Sequence, residues 1–388
     1  MSFAKVVGKP LSAFTGQFSG RLTIDLGAIA RNWKGLDRIS ANALTGAVVK
    51  ADAYGCGMLP VAQTLSRAGA QFFFVATPDE GIALRAALPD AYIFVFNGLF
   101  PGAARLYAEQ RLMPLLGSLS MLDEWLNVCL EVGDALPAGF HFDTGMNRMG
   151  FRLQDASIIQ NRMQTSGYRP QVIMSHLACA DVPAHEKNST QRALFQSLLA
   201  QFPNIPASLA NSAGTLGGRE NHFQMVRPGI SLYGGRALQG RPNPMSAAVT
   251  LEMPILQIRE ARTGETVSYG ATQTLNRDSR LAIVGTGYAD GYLRSLSSSN
   301  GRPGGHVALK GKLLPVVGRV TMDSLVVDVT ELGPNAPEAG DMLEIIGPNI
   351  SVDDLADWGG TIGYEILTSL KGRFKRFYRD EHGNVSEG

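Results

Sequence analysis

The sequence of 388 residues lacks several features that mark particular classes of protein. No apolar run approaches the ~18 residues that span a membrane, and residues 1–20 contain no continuous apolar segment of signal-peptide length. The three cysteines, Cys56, Cys129 and Cys179, are odd in number and far apart, which argues against a disulfide framework or a cysteine metal site. A net charge of +1 provides no field to hold nucleic acid or an anionic membrane. We therefore expect a globular, cytoplasmic protein with neither as a partner.

Between residues 21 and 244 the chain contains eight short apolar runs, most of them separated by amphipathic helical segments. The runs are AVVKA (47–51), FFFVA (72–76), YIFVF (92–96), RLMPLLG (111–117), FHFDT (140–144), QVIMSH (171–176), ASLANS (207–212) and MVRPG (225–229). Buried continuous runs that alternate with helices indicate parallel β/α units. Eight such units predict a (β/α)8 barrel over residues 21–244, although the interval 212–225 is too short to predict a helix.

The pattern changes in residues 245–388, where strands are separated by glycine and proline turns. Segments such as AVTLEMPILQIREA, SLVVDVT and DMLEIIG are typical of strands, SVDDLADWG of a helix, and RFKRFY of a last strand. This pattern predicts a mostly β C-terminal domain. Residues 1–20 are expected to form a flexible extension before the barrel.

Polar side chains gather where the predicted barrel strands end, which is where barrel enzymes place their chemistry. They are Lys50 after the first run, Asp143 and then Arg148 after the fifth, Ser175 and His176 at the sixth, Asn211 and Ser212 at the seventh, and Arg227, followed by Gly229 and Ile230, at the eighth. Five of the eight strand ends thus carry groups that react, titrate or form hydrogen bonds. Solvation alone does not explain this concentration on one rim.

Lys50 is the most informative of these residues because a buried amine has a lowered pKa and suits Schiff-base chemistry. The alternatives at this point are a strand-end lysine that points into solvent and, for His176, a histidine satisfied in the core. Ser212 with the backbone amides of Gly229 and Ile230 is typical of a phosphate-binding cradle. A lysine on one side of a rim and a phosphate cradle on the other indicate a pyridoxal phosphate site.

Nine segments together resemble one protein family, and they occur in its order. They are AVVKADAYGCG, FDTGMNRMGF, SHLACAD, NSAG, VRPGISLYG, VSYGATQT, GYADGY, GRVTMD and TIGYEIL. On these segments the chain resembles the alanine racemases over nearly its whole length after about residue 21. The resemblance implies an isomerase that interconverts L- and D-alanine with pyridoxal 5'-phosphate, in an N-terminal barrel followed by a C-terminal β domain.

The resemblance also implies roles for individual residues. Lys50 holds the cofactor as a Schiff base and then acts as a base, with Tyr269 as the base on the opposite face of the substrate. A phenol serves as a base only where positive charge or hydrogen bonds favour the phenolate. The implied cofactor ligands are Lys50, Tyr54, His176, Ser212, Arg227 (at the pyridine nitrogen), Gly229, Ile230 and Tyr364; the substrate contacts are Arg148 and Met322; and the supporting residues are His141, Asp323 and Tyr288. No metal is expected.

In this family Tyr269 and Met322 reach the site from a second subunit, so a homodimer with shared active sites is implied. The family supplies D-alanine for the peptidoglycan of the cell wall or breaks alanine down, and the sequence leaves both roles open, as it does the preference for alanine over serine. One position departs from the family pattern: His141 stands where many members have a carbamylated lysine that orients the substrate-binding arginine. We expect His141, a nearby carboxylate or a bound anion to orient Arg148 instead.

Three other functions are possible for a barrel of this kind, and each predicts a different sequence feature. An amino-acid decarboxylase with a Schiff-base lysine would use the same phosphate cradle without a base in VSYG. A cofactor-carrying barrel without activity would generally lack the C-terminal β domain. A metal-dependent hydrolase would need an H-x-H pair or a carboxylate–histidine cluster, and the sequence offers neither.

Overall fold

The computed structural model describes residues 20–333, 337–370 and 373–388, which divide into two compact units. The barrel unit is Leu26–Ala248, and the β unit is Val249–Gly388 together with residues 20–25. The predicted flexible extension, residues 1–20, lies outside the described residues except for Gly20. The barrel unit therefore begins at Leu26 and ends at Ala248, whereas the predicted barrel spans residues 21–244.

The first strand, β1 (Arg21–Asp25), belongs to the β unit and not to the barrel. It pairs antiparallel with β11 (Val249–Ala261) and parallel with β19 (Lys375–Arg379). Its alternate residues Leu22 and Ile24 are 1% and 0% exposed. Its pairing with strands on both sides places β1 in the β unit.

The barrel unit contains nine parallel strands, eight of which overlap the eight predicted runs. The additional strand, Leu44–Thr45, precedes the first predicted run, and Gly46 separates the two; an added Cβ at Gly46 would lie 2.6 Å from the Phe74 ring. The strands are β2 (Leu44–Thr45), β3 (Ala47–Val48), β4 (Phe72–Val75), β5 (Tyr92–Val95), β6 (Met113–Leu116), β7 (Gly139–His141), β8 (Val172–Met174), β9 (Ala207–Ser208) and β10 (Met225–Val226). The ring closes because the amide of Val48 donates to the carbonyl of Pro228 at 3.1 Å, and the predicted barrel is confirmed.

Helices alternate with most of these strands, and several begin at side-chain caps. α4 starts with a capping box in which Thr77 and Glu80 each accept the other's backbone amide. Ser118 caps α6, which ends at Gly133 in the left-handed region. The helices are α1 (Leu26–Ser40), α2 (Lys50–Tyr54), α3 (Met58–Ala68), α4 (Pro78–Ala87), α5 (Ala104–Glu109), α6 (Leu119–Val132), α7 (Ala156–Ser166), α8 (Glu186–Leu199) and α9 (Ser212–Gly217). The short α9 occupies the interval in which no helix was predicted.

The β unit is built on a nine-stranded sheet in which β11 pairs with β1, β14 and β18. Its remaining elements are β12 (Thr266–Val267), β13 (Gln273–Thr274), β14 (Ser279–Val284), β15 (His306–Leu309), β16 (Lys312–Pro315), β17 (Leu325–Asp328), β18 (Met342–Ile346), α10 (Val352–Gly359), α11 (Gly363–Ser369) and β20 (Val385–Glu387). The mostly β character and the helix over SVDDLADWG are confirmed. Within the described residues, no helix combines the length and the apolar character that crossing a membrane requires.

Candidate active site

Lys50 lies two residues after the end of β3, at the end of the barrel where the parallel strands finish. The next four residues, Ala51 to Tyr54, have φ angles of 54°, 52°, 53° and 56°, although none is a glycine. The left-handed conformation costs an L-residue roughly 1–2 kcal/mol, so a run of four requires support from elsewhere. The turn ends at Gly55, which adopts the same region without that cost.

The surroundings of Lys50 lower the pKa of its amine from the ordinary value. Burial is the largest cause, the positive charge of Arg148 acts in the same direction, and the carboxylate of Glu80 opposes both. The ammonium also lies 5.6 Å from the centroid of the Phe96 ring. An amine in this setting is deprotonated more readily than a solvent-exposed lysine. This favours the Schiff-base interpretation of Lys50 over a strand-end lysine that points into solvent.

Arg227 and two histidines lie beside Lys50 on the same rim. Arg227 is 2% exposed; its Nη1 donates to the Ser208 hydroxyl and its Nη2 to the Ser175 carbonyl at 2.8 Å. Burial lowers the pKa of Arg227 to about 9, so the guanidinium remains charged at neutral pH. Its Nη2 lies 3.4 Å from Nδ1 of His176, and burial, followed by the charge of Arg227, holds the pKa of that histidine well below the ordinary value.

His141, at the end of β7, is 7% exposed and electrostatically coupled to the same group. Burial lowers its pKa to about 4, and the charges of Arg227 and Arg148 contribute to the shift. The imidazole is therefore neutral at pH 7. Its Nδ1 is buried and makes no hydrogen bond among the described residues, so a bond from that atom to Arg148 is not present. That His141 orients Arg148 stays a prediction.

Three residues predicted to bind the cofactor phosphate, Ser212, Gly229 and Tyr54, lie close together. The Ser212 hydroxyl oxygen, at the start of α9, accepts from the Gly229 amide at 2.8 Å and from the Ser231 amide at 3.3 Å. The Gly229 amide is thus engaged with Ser212, a detail that the sequence does not reveal. An added Cβ at Gly229 would lie 2.3 Å from Oη of Tyr54, so glycine permits this approach. The Tyr54 ring stacks on Tyr233 with a centroid separation of 4.7 Å.

Other polar residues at the strand ends shape the loops. Asp143 accepts from the amides of Gly145 and Met146, both at 2.8 Å, and so forms a local turn. Asn211 is the N-cap of α9 and accepts from the Gly214 amide at 2.9 Å. Both side chains thus bond to backbone amides of their own loops. Within the described ranges, no group of three or more His, Cys, Asp or Glu residues is arranged to hold a metal ion.

Two residues that were not predicted from the sequence, Glu80 and Gln191, hold this rim together. Glu80 joins the ends of β3 and β4 through its two carboxylate oxygens. Gln191, on α8 and fully buried, donates to the His176 carbonyl at 2.9 Å and to the Thr144 hydroxyl at 3.2 Å. The capping-box spacing of TPDE predicts the start of α4, but no sequence signal reveals that Glu80 also reaches Ala51.

Five predicted site residues lie in the β unit, and four of them are exposed. Tyr269 is 72% exposed on a turn between β12 and β13, next to Ser268, whose hydroxyl donates to the Arg319 carbonyl at 2.7 Å. Met322 is 53% exposed, and its carbonyl accepts from the Ala289 amide at 3.1 Å. The other three are Tyr288, which is 42% exposed; Asp323, paired with Arg373 at 2.7 Å; and Tyr364 in the first turn of α11.

Within the β unit, backbone hydrogen bonds bring Met322, Asp323 and Tyr288 together. The Tyr288 amide donates to the Thr321 carbonyl at 3.0 Å, and Arg373 links Asp323 to the buried Asp290. The barrel unit, for its part, groups Lys50 with the arginines and histidines of the rim. These are two preformed sets of polar side chains, one in each unit.

The comparison with known proteins covers both units. The family model "Alanine racemase, N-terminal domain" matches residues 24–237, and "Alanine racemase, C-terminal domain" matches residues 248–378. A protein named "Alanine racemase, biosynthetic" from Agrobacterium fabrum is 46% identical over 365 residues, which cover 92% of this chain and 93% of that protein. A second protein of that organism, named "Alanine racemase, catabolic", is 41% identical, with coverage of 94% and 93%.

Solved structures agree with the sequence comparison. The crystal structure of alanine racemase from Bartonella henselae, described with covalently bound pyridoxal phosphate, has a TM-score of 0.88 and 38% identity and covers 93% of this chain and 99% of its own. The biosynthetic alanine racemase from Pseudomonas aeruginosa has a TM-score of 0.85 and 33% identity, with coverage of 93% and 99%. With both of its units matched in sequence and in fold, the chain belongs to the alanine racemase family.

Proposed function

We propose that the protein interconverts L-alanine and D-alanine with pyridoxal 5'-phosphate as its cofactor. The observation that carries the proposal is Lys50: a partly buried strand-end amine with a lowered pKa, on a rim that also carries Arg148 and Arg227. Positive charge at this rim favours an anionic cofactor and an amino-acid carboxylate. The family assignment and the cofactor named for the Bartonella henselae structure support the same activity.

Two features of the barrel unit fit such a cofactor. Nε of Arg227 is a buried donor with no hydrogen-bond partner among the described residues, and a pyridine nitrogen is an acceptor for it. The Ser212 hydroxyl accepts two backbone amides, so its own proton is available to a phosphate oxygen. Gly229 and Tyr54 meet beside it, and Ile230 and His176 complete this set of ligands from the barrel unit. We assign Tyr364 to the phosphate as well.

Lys50 holds the cofactor covalently and then serves as a proton acceptor and donor. Bound pyridoxal phosphate draws electron density from the substrate Cα, which makes removal of the Cα proton feasible near neutral pH. The lowered pKa of Lys50 favours the neutral amine that accepts this proton. Arg227 keeps its own proton, because its pKa of about 9 leaves the guanidinium charged, and thus holds the ring nitrogen by a hydrogen bond without protonating it.

Racemisation requires a second group, because one proton leaves one face of Cα and another arrives on the opposite face. We assign Tyr269 to that face: its exposed position on a turn suits a side chain that acts in another subunit. Met322 is also exposed, and we propose that both residues enter the site of a partner subunit in a homodimer with shared active sites. Arg148 binds the substrate carboxylate, and His141, Asp323 and Tyr288 support the site.

The cellular setting is part of the proposal. All three cysteines are free thiols, as is usual in a reducing compartment, and we place the protein in the cytoplasm. There D-alanine would serve the peptidoglycan of the cell wall. The relatives named biosynthetic and catabolic have similar sequence identities to this chain, 46% and 41%. Degradation of alanine is therefore the other role for the same reaction.

The activity is tested with purified protein, pyridoxal phosphate and each enantiomer of alanine, separated by chiral chromatography. We expect both directions to proceed, and borohydride reduction followed by peptide mass spectrometry to locate the cofactor on Lys50. Lys50→Arg should lose activity and label, whereas Lys34→Arg, a change at an exposed lysine of α1, should keep both. Full cofactor binding without conversion, or a label on another lysine, would contradict the proposal.

A further inference from the structure

We propose that Glu80 is the positioning residue for Lys50 and Tyr54, because its carboxylate holds the left-handed turn that carries both side chains. This inference deepens the proposed function and rests on it. Glu80 lies in the first turn of α4, in the β/α unit that follows Lys50. It does not reach the cofactor itself in this assignment; it acts through the backbone of the turn.

The contacts of Glu80 divide between two strand ends. Oε1 accepts from the Ala51 amide at 2.6 Å, directly after Lys50. Oε2 accepts from the Ala76 amide, just after β4, at 2.7 Å and from the Thr77 amide at 3.4 Å. One carboxylate thus ties the loop after β3 to the loop after β4, and hydrogen bonds to a charged acceptor are the stronger kind.

The turn depends on such support because Ala51, Asp52, Ala53 and Tyr54 all have positive φ. Local bonds are present: the Ala53 amide donates to the Val49 carbonyl and the Gly55 amide to the Ala51 carbonyl, both at 2.9 Å. These bonds leave the Ala51 amide to be satisfied by Glu80. At the other end, the Asp52 carboxylate accepts from the Met58 amide at 2.7 Å and anchors the turn to α3.

The turn begins at Lys50 and ends at Tyr54, so its geometry sets the positions of two proposed cofactor contacts together. Tyr54 stacks on Tyr233, and its hydroxyl occupies the space left by the absent side chain of Gly229. Release of the Ala51 amide would allow the turn to relax toward right-handed conformations. That movement would displace the Lys50 amine and the Tyr54 phenol together. Loss of the capping contact at the start of α4 would not move them, because it leaves the bond to the Ala51 amide in place.

Glu80 also provides negative charge near the amine. The charged and titratable groups that act on Lys50 or respond to it are Glu80, Arg148 and His176, and the Phe96 ring faces the ammonium. The Glu80 carboxylate raises the pKa of Lys50 against burial and Arg148. Removal of its charge therefore moves the titration of Lys50 to lower pH.

Thr77 separates this role from ordinary helix capping. In the capping box the Thr77 hydroxyl accepts from the Glu80 amide at 3.4 Å, and Oε2 of Glu80 accepts from the Thr77 amide. Thr77→Ala removes half of the box but leaves the contact between Oε1 and Ala51. It is a matched control for Glu80→Ala and for Glu80→Gln, which keeps the shape of the side chain and removes its charge.

The experiment compares these three variants with the wild type as purified holoenzymes. Hydrogen–deuterium exchange of the peptide covering residues 48–57 should be about tenfold faster in both Glu80 variants, as expected for the loss of a charge-assisted hydrogen bond. In Thr77→Ala it should stay within about twofold of the wild type. The kcat for alanine should fall about tenfold in the Glu80 variants, with a much smaller change in KM, because Arg148 is untouched.

The pH profile adds a readout that a purely structural role would not change. In Glu80→Gln, the limb of the kcat–pH profile that reports Lys50 should move to lower pH, and in Thr77→Ala it should stay in place. If Glu80→Ala does not fold, Glu80→Gln decides the question. Unchanged exchange over residues 48–57 in the folded Glu80 variants, or an equal effect of Thr77→Ala, would overturn the proposal. A wild type that neither racemises alanine nor binds the cofactor at Lys50 would refute the proposed function instead, while the exchange data still test Glu80.

Discussion

The close approach of Gly229 to Tyr54 makes Gly229→Ala an informative perturbation. An added Cβ would lie 2.3 Å from Oη and 3.0 Å from Cζ of Tyr54, whereas ordinary contact begins at 3.4 Å. Gly229 has φ −122° and ψ −87°, outside the main regions of L-residues, so an added Cβ brings backbone strain as well as this contact with Tyr54. The Tyr54 ring would have to move by about 1 Å away from its stack on Tyr233. Overpacking of this kind costs about 1–3 kcal/mol of unfolding free energy.

Urea unfolding of the cofactor-free protein measures this cost, and titration with pyridoxal phosphate measures its effect on the site. We expect Gly229→Ala to weaken cofactor binding by about tenfold, equivalent to ~1.4 kcal/mol. In the Tyr54→Phe background the clash with Oη is absent, so the unfolding cost of Gly229→Ala should fall by about 1 kcal/mol. Gly217→Ala in nearby α9 is the control, because an added Cβ there meets nothing within 4 Å. The reasoning would be refuted if the unfolding costs of Gly229→Ala and Tyr54→Phe simply added in the double variant and Gly229→Ala bound pyridoxal phosphate as tightly as the wild type.

Three further predictions concern the charged rim. The pKa of His141, about 4, should rise in Arg227→Gln, because the Arg227 charge contributes to the shift; NMR titration of the imidazole checks this. Because the pKa of His141 is lower in the folded protein than in the unfolded chain, the unfolded chain binds its proton at a higher pH than the folded protein does. As the pH falls from 6.5 to 4, this difference should remove about 3 kcal/mol from the unfolding free energy of the cofactor-free protein. Urea unfolding across that range should show a weaker pH dependence in His141→Asn, and an equal one would contradict the assignment. His141→Ala should raise KM for alanine more than it weakens cofactor binding, and activity should not respond to removal of bicarbonate; activity restored by adding bicarbonate back would show that a carbamylated lysine acts elsewhere.

The barrel strands could be predicted because each is a continuous apolar run that the fold buries on both faces. The placement of β1 could not, because its residues have an ordinary strand pattern. Its partner β19 lies some 350 residues later in the chain, and only tertiary pairing selects it. Helix α11 was missed for a local reason: its N-cap, Ile362, has no side-chain acceptor, and the helix starts at a glycine.

The candidate site shows the same division between local and tertiary information. Strand-end positions predict Lys50, His176 and Arg227 as site residues, since parallel strands end at one rim. The left-handed turn after Lys50 could not be predicted, because four non-glycine residues at positive φ contradict local preference. The Glu80 carboxylate, from the next β/α unit, supports that turn. A conflict between local backbone preference and the folded conformation is expected at a functional site. Likewise, only the three-dimensional structure reveals that Nε of Arg227 has no hydrogen-bond partner in the part of the chain that is described.

We propose that Lys50 and Tyr269 serve opposite faces of the substrate Cα. The most direct test is exchange of the Cα hydrogen with deuterated water, followed by mass spectrometry from each enantiomer separately, in the wild type and in Tyr269→Phe. The wild type should exchange the hydrogen of both enantiomers. Tyr269→Phe should retain the bound cofactor and exchange from D-alanine, but lose exchange from L-alanine, because only the face of Lys50 remains served. Exchange from both enantiomers at rates within about twofold of the wild type would contradict the account.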